Sequence, residues 1–190
     1  SKLLPLRPPV LCPGCPHSKL YDALKAVQPT FTAGDIGCYT LGANPPYQIV
    51  DTCLCMGAGI SKAAGISKQG VKRGAAVIGD STFIHSGIPA LINAVYNKAN
   101  ILVLILDNSA IAMTGHQPTP LTGVTAKGEE GGKTSLEGLC KACGVNSIEV
   151  VDPFEVEKTE AILKEKLDAE GVNVVISRRP CVFLIKRRSK

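Results

Sequence analysis

Ala75-Ala76-Val77-Ile78-Gly79-Asp80-Ser81 and Ile101-Leu102-Val103-Leu104-Ile105-Leu106-Asp107-Asn108 decide the fold. Each is a short run, apolar on both faces, that stops in a polar signature. Such runs fit central strands of a parallel sheet covered by helices. Residues 84–98 between them read as one helix, enough for a strand-to-strand crossover. The alternation continues upstream. Residues 17–27 read as a helix ended by Pro29, and 30–33 as a short strand running into Gly34-Asp35-Ile36-Gly37-Cys38. Residues 48–50 read as a further strand and 57–69 as a helix. Its small residues, Gly57, Ala58, Gly59, Ala63, Ala64 and Gly65, suit very close packing, including against a partner. Downstream, residues 113–134 hold five glycines, two prolines and five threonines without periodicity, which predicts a long functional or mobile loop. Residues 135–143 read as a helix and 147–151 as a strand. Asp152-Pro153 reads as the N-cap and first position of a helix reaching about residue 170. Residues 173–177 and 181–185 read as closing strands. The order predicts an α/β fold: an open, doubly wound, mostly parallel sheet with helices on both faces. No repeat or linker interrupts it, so residues 1–190 read as one domain.

Composition narrows the function. Of 190 residues, 45% are hydrophobic and 19% charged, so the chain can bury a core. No apolar run reaches the ~18 residues of a membrane span, and the N-terminal residues lack a signal peptide's apolar stretch; the expectation is cytoplasmic, with no membrane partner. The net charge of +5 is concentrated in Lys186-Arg187-Arg188-Ser189-Lys190, and only 4% of residues are aromatic. That combination argues against nucleic-acid binding. Eight cysteines without a secretory signal do not suggest a disulfide framework. Cys12-Pro13-Gly14-Cys15 has the spacing of a metal, cluster or redox site. Cys140 and Cys143 lie one turn apart on a predicted helix and read as packing residues.

In a doubly wound sheet, ligands bind at the carboxyl ends of the strands. Asp80 and Asn108, 28 residues apart, stand at two such ends. A carboxylate and a neutral amide oxygen suit Mg²⁺, which takes few ligands from protein and the rest from phosphate and water. Gly79 lets a diphosphate approach the backbone, and the N–H groups of Ser81 and Thr82 entering the next helix favour an anion. The blander alternative is that Asp80 caps a helix and Asn108 starts a turn. His85 and His116 are candidate proton-transfer groups, since imidazole titrates near neutral pH. His17 reads as a helix start.

The Gly-Asp pair followed at this distance by Asn resembles the thiamine diphosphate-binding motif. Leu11-Cys12-Pro13-Gly14-Cys15-Pro16-His17, Gly34-Asp35-Ile36-Gly37-Cys38-Tyr39-Thr40-Leu41-Gly42 and Asp51-Thr52-Cys53-Leu54-Cys55-Met56-Gly57-Ala58 extend the likeness. So do residues 79–89 and 107–118. Over about residues 7–185, the chain resembles the thiamine diphosphate-binding domain of the indolepyruvate:ferredoxin oxidoreductase large subunit.

The resemblance implies oxidative decarboxylation of an aryl 2-oxoacid. Electrons would pass through iron–sulfur clusters to ferredoxin, and the acyl group to coenzyme A. It implies that Asp80, Asn108 and the Ala110 carbonyl bind Mg²⁺, and that Gly79, Ser81 and Thr82 line the diphosphate. Gly37 and Cys38 would border the cofactor, and Met113 would press between its rings. Cys12, Cys15 and Cys38 match three ligands of a [4Fe–4S] cluster, with Cys181, Cys143 or Cys55 open as the fourth; zinc and an empty site also stay open. The activating glutamate is supplied in the family by a separate pyrimidine-binding domain, and no ferredoxin-type cysteine run is present. The chain is therefore expected to be part of a larger, oligomeric assembly with a second subunit, and to bind cofactor weakly and not turn over alone. Two rivals remain: the cofactor subunit of a non-oxidative 2-oxoacid decarboxylase, and a non-catalytic cysteine-rich metal-binding module.

Overall fold

The computed structural model describes residues 7–188. Residues 1–6 of the proline-rich start, and the side chains of the basic tail from Lys186 onward, lie outside that description. In chain order the elements are α1 (Pro16–Val27), β1 (Phe31–Gly34), a 3₁₀ helix (Cys38–Ala43), β2 (Thr52–Cys53), α2 (Ala58–Ser67) and β3 (Gly74–Gly79). Next come α3 (Asp80–Thr82), a π-helical turn (Phe83–Gly87), α4 (Ile88–Tyr96), β4 (Ile101–Asp107) and α5 (Leu136–Ala142). The last are β5 (Ser147–Val151), α6 (Val156–Asp168), β6 (Val172–Arg178) and α7 (Val182–Arg188). The strands form one sheet in the order β2-β1-β3-β4-β6-β5, every neighbouring pair parallel.

The two deciding runs lie in the middle of the sheet, and β3 and β4 are buried along their whole length. Side chains alternate faces along a strand, so β4 feeds two cores. Ile101, Val103 and Ile105 pack with Ile60 of α2, Leu91 of α4 and Leu136 of α5. Leu102, Leu104 and Leu106 pack on the other face with Leu24 of α1 and Leu163 of α6. Each such side chain stabilises by about 1.5–3 kcal/mol when fully buried. Helices thus cover both faces, as the pattern predicted.

Three expectations are corrected. Residues 181–185 are helical, not a strand. β6 is already flanked by β4 and β5, and the Cys181 N–H goes to the Asn108 carbonyl at 2.9 Å instead of a ladder. The strand expected at 48–50 is displaced to Thr52–Cys53, because Gln48 is left-handed with φ 50°. Asp152 caps a turn, accepting from the Phe154 N–H at 3.0 Å, and the helix begins only at Val156. The small residues of α2 pack in part on the chain's own sheet: a Cβ at Gly59 would sit 3.2 Å from the Gly34 carbonyl oxygen, whereas one at Gly65 would meet nothing within 4 Å. Residues 113–134 carry no helix or strand, as expected. No helix among the described residues is long and apolar enough to cross a membrane.

Candidate functional site

The strand order turns back at β1 and β3: β2 lies outward of β1, while β4 lies beyond β3. A crevice at the carboxyl ends there is where such sheets take ligands. Gly79 pairs with Leu106 in the ladder, so Asp80 and Asn108 emerge on neighbouring strands. The Ser109 N–H donates to Asp80 Oδ2 at 3.1 Å and the Ser81 N–H to Oδ1 at 2.7 Å. Asp80 is 2% exposed. Its pKa lies well above the usual carboxylate range, first because of burial and then because Asp107 stands beside it. Asp107 is compensated by Arg178 at 2.7 Å, which also reaches Glu137 at 2.7 Å. No cationic side chain pairs with Asp80 among the described ion pairs. A buried carboxylate in that condition favours a bound cation. Asn108 is buried; its Oδ1 accepts the Ala110 N–H at 3.2 Å, and its Nδ2 faces His17 Nε2 at 3.3 Å.

A cavity of about 310 Å³ opens here. Gly79, Asp80, Ser81 and Thr82 line it from β3 and α3, and Gly37 and Cys38 from the end of β1. Asn108, Ala110 and Met113 line it from the chain beyond β4, and exposed His85 stands in its wall. The Ser81 N–H, expected to face an anion, is engaged by Asp80. The glycines also serve packing within the chain. A Cβ on Gly79 would lie 2.5 Å from the Tyr39 ring, and one on Gly37 would strike the same ring. The glycines admit Tyr39, whose hydroxyl donates to the Ile36 carbonyl at 2.7 Å and meets Thr82 Oγ1 at 3.2 Å.

A second pocket, about 170 Å³, is lined by Cys12, Cys15, Cys38 and Cys181. All four are free thiols. Burial pushes Cys15 up to about 11 and raises Cys38, with Cys181 the next cause for Cys38. Of the other candidate ligands, Cys55 is exposed and Cys143 ends α5, packed against the core that also buries Cys140. Among the described residues, no three His, Cys, Asp or Glu side chains gather closely enough to hold a single metal ion. The two cavities share a wall: His17, Cys38, Asn108, Ala112 and Met113 line both. His116 was expected on the cofactor side. It lines the cysteine pocket instead, with Nε2 3.7 Å from Cys181 Sγ and its ring edge-on to Phe183.

The model of the thiamine pyrophosphate enzyme, C-terminal TPP binding domain, matches residues 35–177. The chain belongs to that family. It is 49% identical over 187 residues to indolepyruvate oxidoreductase subunit IorA of Archaeoglobus fulgidus, covering 96% of this chain and 30% of that protein. The Pyrococcus abyssi subunit of the same name is 45% identical over 199 residues, covering 96% and 31%. The chain thus spans about 30% of the curated relatives it matches. In fold it resembles the 2-oxoglutarate:ferredoxin oxidoreductase from Magnetococcus marinus, solved with 2-oxoglutarate, coenzyme A and succinyl-CoA bound. There the TM-score is 0.76 at 17% identity, covering 95% of this chain and 66% of that one.

In this thiamine diphosphate-binding domain, the structure gathers all nine residues expected around the cofactor onto one cavity. It sets the three expected cluster cysteines on another and adds Cys181 to them. Sequence reading missed two residues. Tyr39 sits beside Cys38, but nothing in local periodicity marks a tyrosine as a plug between two glycines. His17 was passed over because its neighbour Asn108 is 91 residues away.

Proposed function

We propose that this chain is the thiamine diphosphate- and Mg²⁺-binding domain of an indolepyruvate-type 2-oxoacid:ferredoxin oxidoreductase, with a [4Fe–4S] cluster beside the cofactor. The observation that carries it is the wall common to the cofactor cavity and the four-cysteine pocket. A simple decarboxylase has no use for an electron acceptor there. A zinc site would draw four sulfurs to one ion at about 2.3 Å, whereas a cubane takes one cysteine at each iron and needs no single point of convergence. The residues fit: four thiols line one pocket, and Asp80 is a desolvated carboxylate without a cationic partner.

Bound thiamine diphosphate supplies the electron sink for releasing carbon dioxide from a 2-oxoacid. Asp80, Asn108 and the Ala110 carbonyl would hold Mg²⁺, which would supply charge for the diphosphate. Thr82 and Ser81 line that end, and Met113 gives an apolar wall. His85, in the same cavity, is the proton-transfer group of this chain. Ile36, Met56 and Met113 line the cavity yet are 39%, 47% and 51% exposed, an apolar rim suited to the pyrimidine-binding domain of a larger oligomeric subunit. Ferredoxin and coenzyme A are the expected partners for the electrons and the acyl group.

The test is anaerobic reconstitution with iron and sulfide. The wild-type chain should take up about four irons per chain with a cluster absorption band, and Cys181→Ser should lose most of it. Uptake of a single zinc, or iron binding indifferent to Cys181, would sink the cluster reading. Ferredoxin reduction by the assembled enzyme, dependent on indolepyruvate and coenzyme A, separates it from a decarboxylase, which would release free aldehyde.

A further inference from the structure

His17 lies in the first turn of α1, 4% exposed, in the wall that divides the two cavities. Its Nε2 is 3.3 Å from Asn108 Nδ2. The two ends of an amide are told apart by their partners. On its far side Asn108 meets the Ala110 N–H at 3.2 Å. A backbone N–H only donates, so the end facing it is the carbonyl oxygen. The amide NH₂ therefore faces His17, and the Nε2 that meets it must present a lone pair. The ring proton then sits on Nδ1. The ring is buried, and Tyr39 packs edge-on against it at 6.3 Å.

We propose that His17 is the positioning residue of the cation site: through an unprotonated Nε2 it accepts from Asn108 Nδ2 and so fixes which end of that amide is offered as ligand. Asn108 Oδ1 is thereby kept on the side of the Ser109–Ala110 turn. That is the turn whose Ser109 N–H reaches Asp80 Oδ2. Without the acceptor, only the Ala110 N–H orders the amide. The Oδ1 then loses the second restraint that makes it a ready ligand. The amide orientation is independent of any cofactor, while its consequence for the cation rests on the Mg²⁺ reading above.

Two variants separate positioning from packing. His17→Gln keeps a carbonyl acceptor; His17→Phe fills the space without one. The first readout is nitrogen-15 NMR of the cofactor-free chain. Wild type should show the Nδ1-protonated tautomer of His17 and a slowly exchanging Asn108 side-chain NH₂ pair. That protection should persist in His17→Gln and vanish in His17→Phe. The second readout is Mn²⁺ uptake in the presence of thiamine diphosphate, followed by electron paramagnetic resonance. Removing the hydrogen-bond partner of a metal ligand typically weakens binding about 10- to 100-fold. His17→Phe should lose at least the lower figure, and His17→Gln should recover most of it. An Nε2-protonated tautomer in the wild type, or a His17→Phe chain that keeps both the protected amide and the Mn²⁺ affinity, overturns the proposal. A wild-type chain with the expected tautomer and protected amide that takes up no Mn²⁺ defeats the cation site, and the positioning role with it.

Discussion

Asp80 and His17 are buried ionisable groups that line one cavity with Asn108, and burial moves them in opposite directions. Asp80 is raised in the folded state, so between about pH 4 and its folded pKa the native protein binds more protons than the unfolded chain. Through Asp80, stability therefore falls as pH rises across that window. His17 is lowered from 6.5 to about 4, so the unfolded chain binds more protons between those values. Through His17, stability is fully present above about 6.5 and is lost as pH falls toward 4. The two slopes oppose each other. We expect thermal melts of cofactor-free Asp80→Asn to drop steeply from pH 6.5 to 4, and those of His17→Gln to rise over the same interval. Wild type should vary less than either. At pH 7, Asp80→Asn should also be more stable than wild type by about 1–3 kcal/mol, because an uncompensated buried charge is gone, while losing Mg²⁺-dependent cofactor binding. The glycines allow a second test at this scale. Gly79→Ala should cost about 1–3 kcal/mol by overpacking Tyr39. In a Tyr39→Leu background the cost should shrink, and an unchanged cost in a double-mutant cycle would exclude that contact as the reason.

Among the elements, position in the sheet decides what a side chain contributes. β4 is flanked on both sides and covered on both faces, so Leu104 is fully buried, whereas Val150 on edge strand β5 is 41% exposed. Leu104→Ala should therefore lower unfolding free energy by about 2–5 kcal/mol, and Val150→Ala by no more than about 0.5 kcal/mol, both read by denaturant titration. The C-terminal edge of the sheet is held by side chains at element ends. Asp35, buried at the end of β1, takes the Gly57 N–H on both carboxylate oxygens at 2.8 Å and that of Gly59 at 3.3 Å. It caps α2 through these bonds, as an acidic side chain does at the positive end of a helix. Gly57 in turn has no room for a Cβ against Ser86 in the π-helical turn. Wide turns of this kind recur at functional sites, and here one carries His85 into the cavity wall.

Over the whole molecule, two cavities stand back to back across one wall, and Asn108 ties them together. Its side chain meets His17 of α1, and its carbonyl accepts the Cys181 N–H that opens α7. Hydrogen bonds of one residue thus reach the walls of both cavities. Ile36, Met56 and Met113 leave an exposed apolar rim on the cavity. We expect calorimetry to give weak, Mg²⁺-dependent binding of thiamine diphosphate to the chain alone, and much tighter binding when the pyrimidine-binding domain is supplied. Equal affinity with and without that domain would rule out a site shared between them.

Local periodicity was enough for the parallel sheet, the two central strands and the covering helices, because burial on both faces writes continuous apolar runs into β3 and β4. Spacing was enough to place Asp80 and Asn108 at neighbouring strand ends, because strand ends in a doubly wound sheet converge by topology. The cysteines at 12, 15 and 38 were legible as a set, but not their fourth member. Cys181 joins them only because the chain after β6, with no open sheet edge beside it, turns into a helix and bonds back to Asn108. The same limit hid Tyr39 and His17 and moved His116 to the cysteine pocket. A side chain's contacts across 43 or 91 residues of chain leave no trace in neighbouring residues, since packing is chosen by what the folded sheet brings within van der Waals reach.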